Sequence, residues 1–257
     1  MPIIIFVLGL LIGSFLNVVI LRMNTGRSIV RGRSICAHCS RPLAWYELIP
    51  VFSFLGLRGK CRTCAQPISF QYALVELSTA LVFVLAYTRI VIGGFFSGTS
   101  WLVFLFACIV ASLLMVIAVY DVRHKIIPDT VVLPFILLSL VALAARVALG
   151  SSLWGELVGG VVVALPFFLL WYFSKGRAMG FGDVKLMLGV GWLLGLSKGY
   201  SVILLSFWIG GIVGLFLIGA TRRYKLKSQV PFGPFIIIAV AIVGLWGFMM
   251  PSLVHLW

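Results

Sequence analysis

The chain carries six carboxylates in 257 residues, few enough to weigh singly: Glu47, Glu76, Asp121, Asp129, Glu156 and Asp183. Asp121 closes an apolar run in Val119-Tyr120-Asp121-Val122-Arg123, and Asp183 opens another after Gly180-Phe181-Gly182. An ionisable side chain at the edge of an apolar run is costly and marks a functional site by default. Two of them at one level can share a proton, so that one carboxylate activates water while the other protonates a leaving group. That pairing is what peptide hydrolysis needs in the absence of a metal or a nucleophilic side chain. Gly180 and Gly182 remove side chains beside Asp183, which lets backbone or an extended substrate approach. The competing assignment is structural, with Asp183 as a helix cap and Asp121 paired to Arg123 or Lys125. Spacing alone leaves both open. Asp129, in Pro128-Asp129-Thr130, stands where an N-cap belongs.

Four of the five cysteines form a second chemical group. Cys36, Cys39, Cys61 and Cys64 give C-x2-C, 21 residues, C-x2-C, a spacing that suits four thiolates around tetrahedral zinc. The segment repeats itself at a period of 25: Arg33, Cys36, Cys39, Pro42, Leu43 and Trp45 align with Arg58, Cys61, Cys64, Pro67, Ile68 and Phe70. Two matching knuckles imply one shared metal with a structural role. The alternative is a pair of redox-active CxxC couples, as in a membrane thiol oxidoreductase. His38, between Cys36 and Cys39, reads as a solvent-facing bystander, and Cys108, alone in an apolar run, as packing.

The elements that must position these groups are membrane spans. The composition is 62% hydrophobic and 10% charged, with a mean hydropathy of +1.19, so the solvent is a bilayer. Apolar runs fall at 2–21, 72–93, 101–120, 130–149, 153–173, 184–197, 199–220 and 232–250, which makes about eight transmembrane helices in an all-α membrane protein. The weakest boundary lies within 184–220, where glycines interrupt the run and the first half reads as a short span. A polar loop of residues 22–71 holds the cysteines, between a first span at 1–21 and a seven-helix remainder at 72–257.

The excess of Lys and Arg, 20 against six acids, would suit nucleic acid, but its distribution excludes that reading. Alternate threading places 17 basic residues on one side, in 22–71, 123–125, 175–185 and 222–227, and leaves Arg89, Arg146 and Lys198 on the other. The positive-inside rule then makes the first side cytoplasmic. Cytoplasmic thiols stay reduced, which favours metal over disulfides. Asp121 and Asp183 fall at the cytoplasmic edge, Glu47 and Glu76 flank the cysteine loop, and Glu156 lies on the outer side. Arg123 and Lys185 stand near enough in sequence to favour an ionised member of the aspartate pair.

With these residues in place the chain resembles the bifunctional type IV prepilin peptidases and N-methyltransferases. The similar elements are Gly13-Ser14-Phe15-Leu16-Asn17-Val18, the paired CxxC loop, Pro50-Val51-Phe52-Ser53, the segment from Asp121 to Pro128-Asp129, and Gly180-Phe181-Gly182-Asp183, the GxGD signature. The resemblance implies that Asp121 and Asp183 are the catalytic aspartates. It also implies a substrate: type IV prepilins or pseudopilins, cut at the cytoplasmic face of the bacterial inner membrane. The cut follows the glycine of a basic leader, just before the hydrophobic helix. The new N-terminus would then be methylated from S-adenosylmethionine. Ala73 stands where the family's YPxVE pattern has Pro, ahead of Glu76. Two other functions use the same residues: a membrane thiol oxidoreductase, or a transporter whose Asp121 and Asp183 carry protons or cations.

Overall fold

A computed structural model describes residues 1–93, 98–220 and 230–247 of the chain. Each apolar run becomes a helix, because in hydrocarbon the backbone N–H and C=O groups must be satisfied within the segment. In chain order they are α1 (Pro2–Arg22), a short α2 in the loop (Phe52–Gly56), α3 (Gln71–Ala86), α4 (Gly98–His124), α5 (Asp129–Ala148), α6 (Leu153–Ser174), α7 (Phe181–Leu194), α8 (Leu196–Ala220) and α9 (Gly233–Trp246). A π-helical extension, Tyr87–Ile92, continues α3.

Six of these helices are long and apolar enough to cross a membrane. The fold is therefore the expected all-α membrane protein. It differs from a count of eight full spans because α7 and α9 have only 14 residues each among those described. At 1.5 Å per residue such a helix reaches about 21 Å, short of the roughly 30 Å of hydrocarbon in a bilayer. The division of 184–220 falls at one residue, Gly195, with φ +79°. The basic cluster Arg222, Arg223, Lys225 and Lys227 lies outside the described residues.

The chain forms two compact units, Met1–Val116 and Ile117–Trp257. In the first, α1 packs along α3 at close range. A Cβ on Gly9 would meet the Ala80 Cα at 2.5 Å, and one on Gly13 would meet the Glu76 Cα at 2.7 Å. Two glycines four residues apart let two backbones touch in an apolar solvent that offers no hydrophobic drive for association. Asn17, 1% exposed, adds a polar tie by donating to the Tyr72 carbonyl at 3.1 Å.

In the second unit α7 is the central element, packed on both α5 and α6. Its glycines again set the spacing, since a Cβ on Gly191 would lie 2.7 Å from the Gly160 Cα. The C-terminal carbonyls of α7 have no partner within the helix and need one. Arg146 of α5 supplies it, donating to the carbonyls of Trp192 and Leu193 at 2.6 and 2.7 Å while it pairs with Glu156 at 2.8 Å.

Candidate active site and cysteine cluster

The last turns of α4 carry Asp121, and the first turn of α7 carries Asp183. Both side chains are buried, at 5% and 8% exposure, and they lie close enough to feel each other's charge. Gly180 is the N-cap residue of α7, and its N–H faces the Asp183 carboxylate three residues on. That is half of a capping box, so the structural assignment is realised for one oxygen. The other, Asp183 Oδ1, is buried and has no hydrogen-bond partner among the described residues. A cap needs one oxygen, and a buried carboxyl oxygen without a partner is costly to maintain.

Asp121 pairs with neither Arg123 nor Lys125; its Oδ2 accepts the Gly233 N–H at 3.1 Å. Gly233 begins α9 and precedes Pro234, which fixes the start of that helix. A side chain at 233 would displace this contact, because its Cβ would lie 2.7 Å from the same oxygen. The sequence reading missed this contact. Its one sequence signal is Pro231-Phe232-Gly233-Pro234, a tight helix entry with a glycine between prolines.

The two glycines before Asp183 differ in role. Gly180 is open except for the Asp183 carboxylate, 3.7 Å from where its Cβ would be. The space beside Gly182 is filled instead by Ile127, with the Ile127 Cβ 2.8 Å from the ideal Cβ position. Gly182 therefore brings the turn after α4 against the start of α7, which draws Asp121 and Asp183 together.

Asp129 is not the N-cap of α5. Pro128 occupies that position, and Asp129, the first helical residue, makes an ion pair with Lys185 at 2.7 Å. The difference follows from α7 packing on α5, which brings the ammonium within reach. Lys185 also lies over the Phe181 ring, 5.4 Å from its centroid. Its charge is directed to Asp129, which departs from the expectation that it supports the aspartate pair.

The first unit holds the cysteines. The knuckle repeat is visible in the backbone: β-bridges join Ile35 to Pro42 and Lys60 to Pro67, and Ser40 and Ala65 both take positive φ. The N–H groups of Cys39 and His38 lower the Cys36 thiol, and those of Cys64 and Thr63 bring Cys61 down to about 6, while, against the Gln66 N–H, burial and the hydrogen bonds to the other three sulfurs push Cys64 up to about 11. Backbone donors aimed at sulfur favour thiolates, the form that binds metal. All four Sγ atoms lie within 4.8 Å of one another, and Cys36 and Cys64 are 3.9 Å apart. Tetrahedral zinc with bonds of about 2.3 Å needs sulfurs roughly 3.8 Å apart, so the cluster fits a metal ion. His38 is not part of it. Glu47 braces the first knuckle, accepting from Ala44 N at 2.8 Å and from Arg41 at 2.6 Å.

The bacterial peptidase A24 N-terminal domain matches residues 7–90, and the type IV leader peptidase family matches residues 108–215. Among curated proteins, a prepilin leader peptidase/N-methyltransferase of Myxococcus xanthus is 38% identical over 227 residues, covering 87% of this chain and 65% of its own length. Proteins of the same description from Aeromonas hydrophila and Bacillus subtilis are 33% and 32% identical. Their alignments cover 95% of this chain in each case, and 90% and 94% of their own lengths. No solved structure matches.

Proposed function

The chain belongs to the type IV leader peptidase family, and from that premise we propose that it is a membrane aspartic endopeptidase acting on type IV prepilins or pseudopilins. Asp121 and Asp183 are its catalytic pair: one carboxylate takes a proton from water, and the other gives one to the departing amine. The observation that carries this is Asp183 Oδ1, a buried oxygen with no donor of its own, on a carboxylate that feels the charge of the likewise buried Asp121. Gly233 N–H holds Asp121 in place, and the Ile127–Gly182 contact closes the approach of the two chain segments.

The reaction takes place at the cytoplasmic face of the inner membrane. The support is charge, since Arg123, Lys125, Lys175 and Arg177 lie at the helix ends nearest the pair. The cut leaves a new N-terminus that is methylated with S-adenosylmethionine as the methyl-donating substrate. Cys36, Cys39, Cys61 and Cys64 hold one structural zinc. The cross-knuckle Cys36–Cys64 approach favours a shared ion over two separate redox couples. The metal's chemistry there is to staple a loop too small to fold on a core of its own.

Incubation of the purified protein with a prepilin and S-adenosylmethionine, followed by mass spectrometry of the product N-terminus, tests the reading. A leader removed after Gly and a methylated new N-terminus are expected. An uncut prepilin contradicts the peptidase assignment.

A further inference from the structure

Five of the six carboxylates have an evident counterpart. Glu47 has Arg41, Asp129 has Lys185, Glu156 has Arg146, and Asp121 and Asp183 have each other. Glu76 is the sixth. It is 6% exposed, on α3 more than a turn in from the helix start, and among the described residues no Lys, Arg or His pairs with it. Its Oε2 accepts the Val51 N–H at 2.8 Å, and the Ser14 hydroxyl also donates to it. A carboxylate removed from water without a cation is held at a cost, which asks for a function.

The surroundings fix this group from three sides. Gly13 presses α1 onto the Glu76 backbone, Asn17 ties α1 to the first turn of α3, and the loop arrives through Pro50-Val51. Val51 takes φ +60°, an outlier for a β-branched residue, and such strain persists only where the surroundings over-determine it. Strain of this kind collects at ligand clamps and active sites. The matching cation is supplied by the proposed reaction, because cutting a prepilin before its hydrophobic helix leaves an α-ammonium at the level of the membrane edge.

We propose that Glu76 is the carboxylate that receives the α-ammonium of the cut substrate, at a second site in the first unit of the chain, and that it accepts the proton shed on methylation. The inference rests on the methyl-transfer part of the proposed function. The ammonium passes a proton to Glu76. The freed amine nitrogen attacks the methyl carbon of the sulfonium donor, the nitrogen–carbon bond forms, and the carbon–sulfur bond breaks with its electron pair left on sulfur. The product is a secondary ammonium and a neutral thioether. Ser14 and the Val51 N–H orient the carboxylate without neutralising it.

Glu76→Gln in the full chain separates this role from that of a loop anchor. The amide oxygen still accepts the Val51 N–H, but the side chain carries no charge and takes no proton. The variant is expected to cleave prepilin within about twofold of the wild type and to methylate the product on the order of 100-fold more slowly. Cleavage serves as the check on folding. A second readout does not depend on turnover: wild-type protein should bind a mature N-terminal peptide with a free amine about tenfold more tightly than its N-acetyl form, and Glu76→Gln should not distinguish them. Methylation by Glu76→Gln close to the wild-type rate overturns the proposal, as does equal affinity of the wild type for the two peptides. Parallel loss of cleavage and methylation also overturns it, since that marks a structural residue. If wild-type protein fails to cleave, the peptidase assignment is wrong, and the affinity comparison still decides Glu76.

Discussion

Replacing Gly233 with Ala should disable cleavage through Asp121 without touching either aspartate. The new methyl would sit 2.7 Å from Asp121 Oδ2 and 3.4 Å from its Cγ. Ordinary contact begins near 3.4 Å, so the carboxylate or the start of α9 must give way by about 0.7 Å. That movement stretches the 3.1 Å bond from Gly233 N–H beyond hydrogen-bonding range. A hydrogen bond to a charged group is worth about 1.5–3 kcal/mol, and misplacing a reacting group by 1 Å costs about 100-fold. The two estimates agree on a fall in prepilin cleavage of roughly 10- to 100-fold, carried by kcat more than by KM. The assay is the cleavage rate in lipid vesicles, followed by mass spectrometry. Gly214→Ala on α8 is the control, because its new methyl has nothing within 4 Å, and full activity is expected. A Gly233→Ala protein that cleaves within about threefold of wild type would refute the reasoning, because it would show that the contact does not position Asp121.

The zinc assignment predicts about one equivalent of metal in wild-type protein with reduced cysteines, and a clear loss in Cys61→Ser by metal analysis. Less than half an equivalent in the wild type would count against it. Glu47 gives a pH prediction: the Ala44 N–H, with help from Arg41, holds its carboxyl below the usual 4.5, against the opposing effect of burial. Its stabilisation is thus present above the unfolded value and lost as pH falls through the lower folded value. Amide exchange of residues 41–48 should be faster in Glu47→Gln at neutral pH, with the difference fading on acidification; equal exchange at neutral pH would contradict this. For the orientation, cysteines introduced near Arg89 should react in intact cells with reagents that cannot cross the membrane, while Cys36–Cys64 should not. Labelling of the native loop would reverse it.

Hydropathy located every long helix because each apolar run had to satisfy its own backbone, though not the short α2 in the loop, and the 25-residue repeat located both knuckles, down to matching β-bridges and matching positive φ at Ser40 and Ala65. Asp121 and Asp183 stood out because carboxylates are rare at the ends of apolar runs, with six in the whole chain. Their partners were not. The donor to Asp121 is a backbone N–H 112 residues away, and backbone atoms leave no side-chain signature. Lys185 was misread because it stands only two residues from Asp183 in sequence, whereas packing on α5 turns its ammonium to Asp129. Gly182 was read as room for backbone or an extended substrate, and the chain itself, at Ile127, takes that room. The close packing of Gly9 and Gly13 on α3 also went unread, since nothing in α1 alone says which helix it meets. Arg146 was counted only as an outer-side charge, although it satisfies the end of α7.

The central claim is that Asp121 and Asp183 share the proton chemistry, and cleavage of a prepilin by Asp121→Asn, Asp183→Asn and Asp129→Asn tests it most directly. Asparagine keeps the shape of the side chain and its carbonyl acceptor but cannot titrate. With membrane insertion confirmed for each variant, the first two should lose cleavage by several orders of magnitude, while Asp129→Asn, which loses only a partly exposed ion pair, should retain most of it. Substantial cleavage by Asp121→Asn or Asp183→Asn would contradict the account, and loss confined to Asp129→Asn would move the catalytic role to that residue.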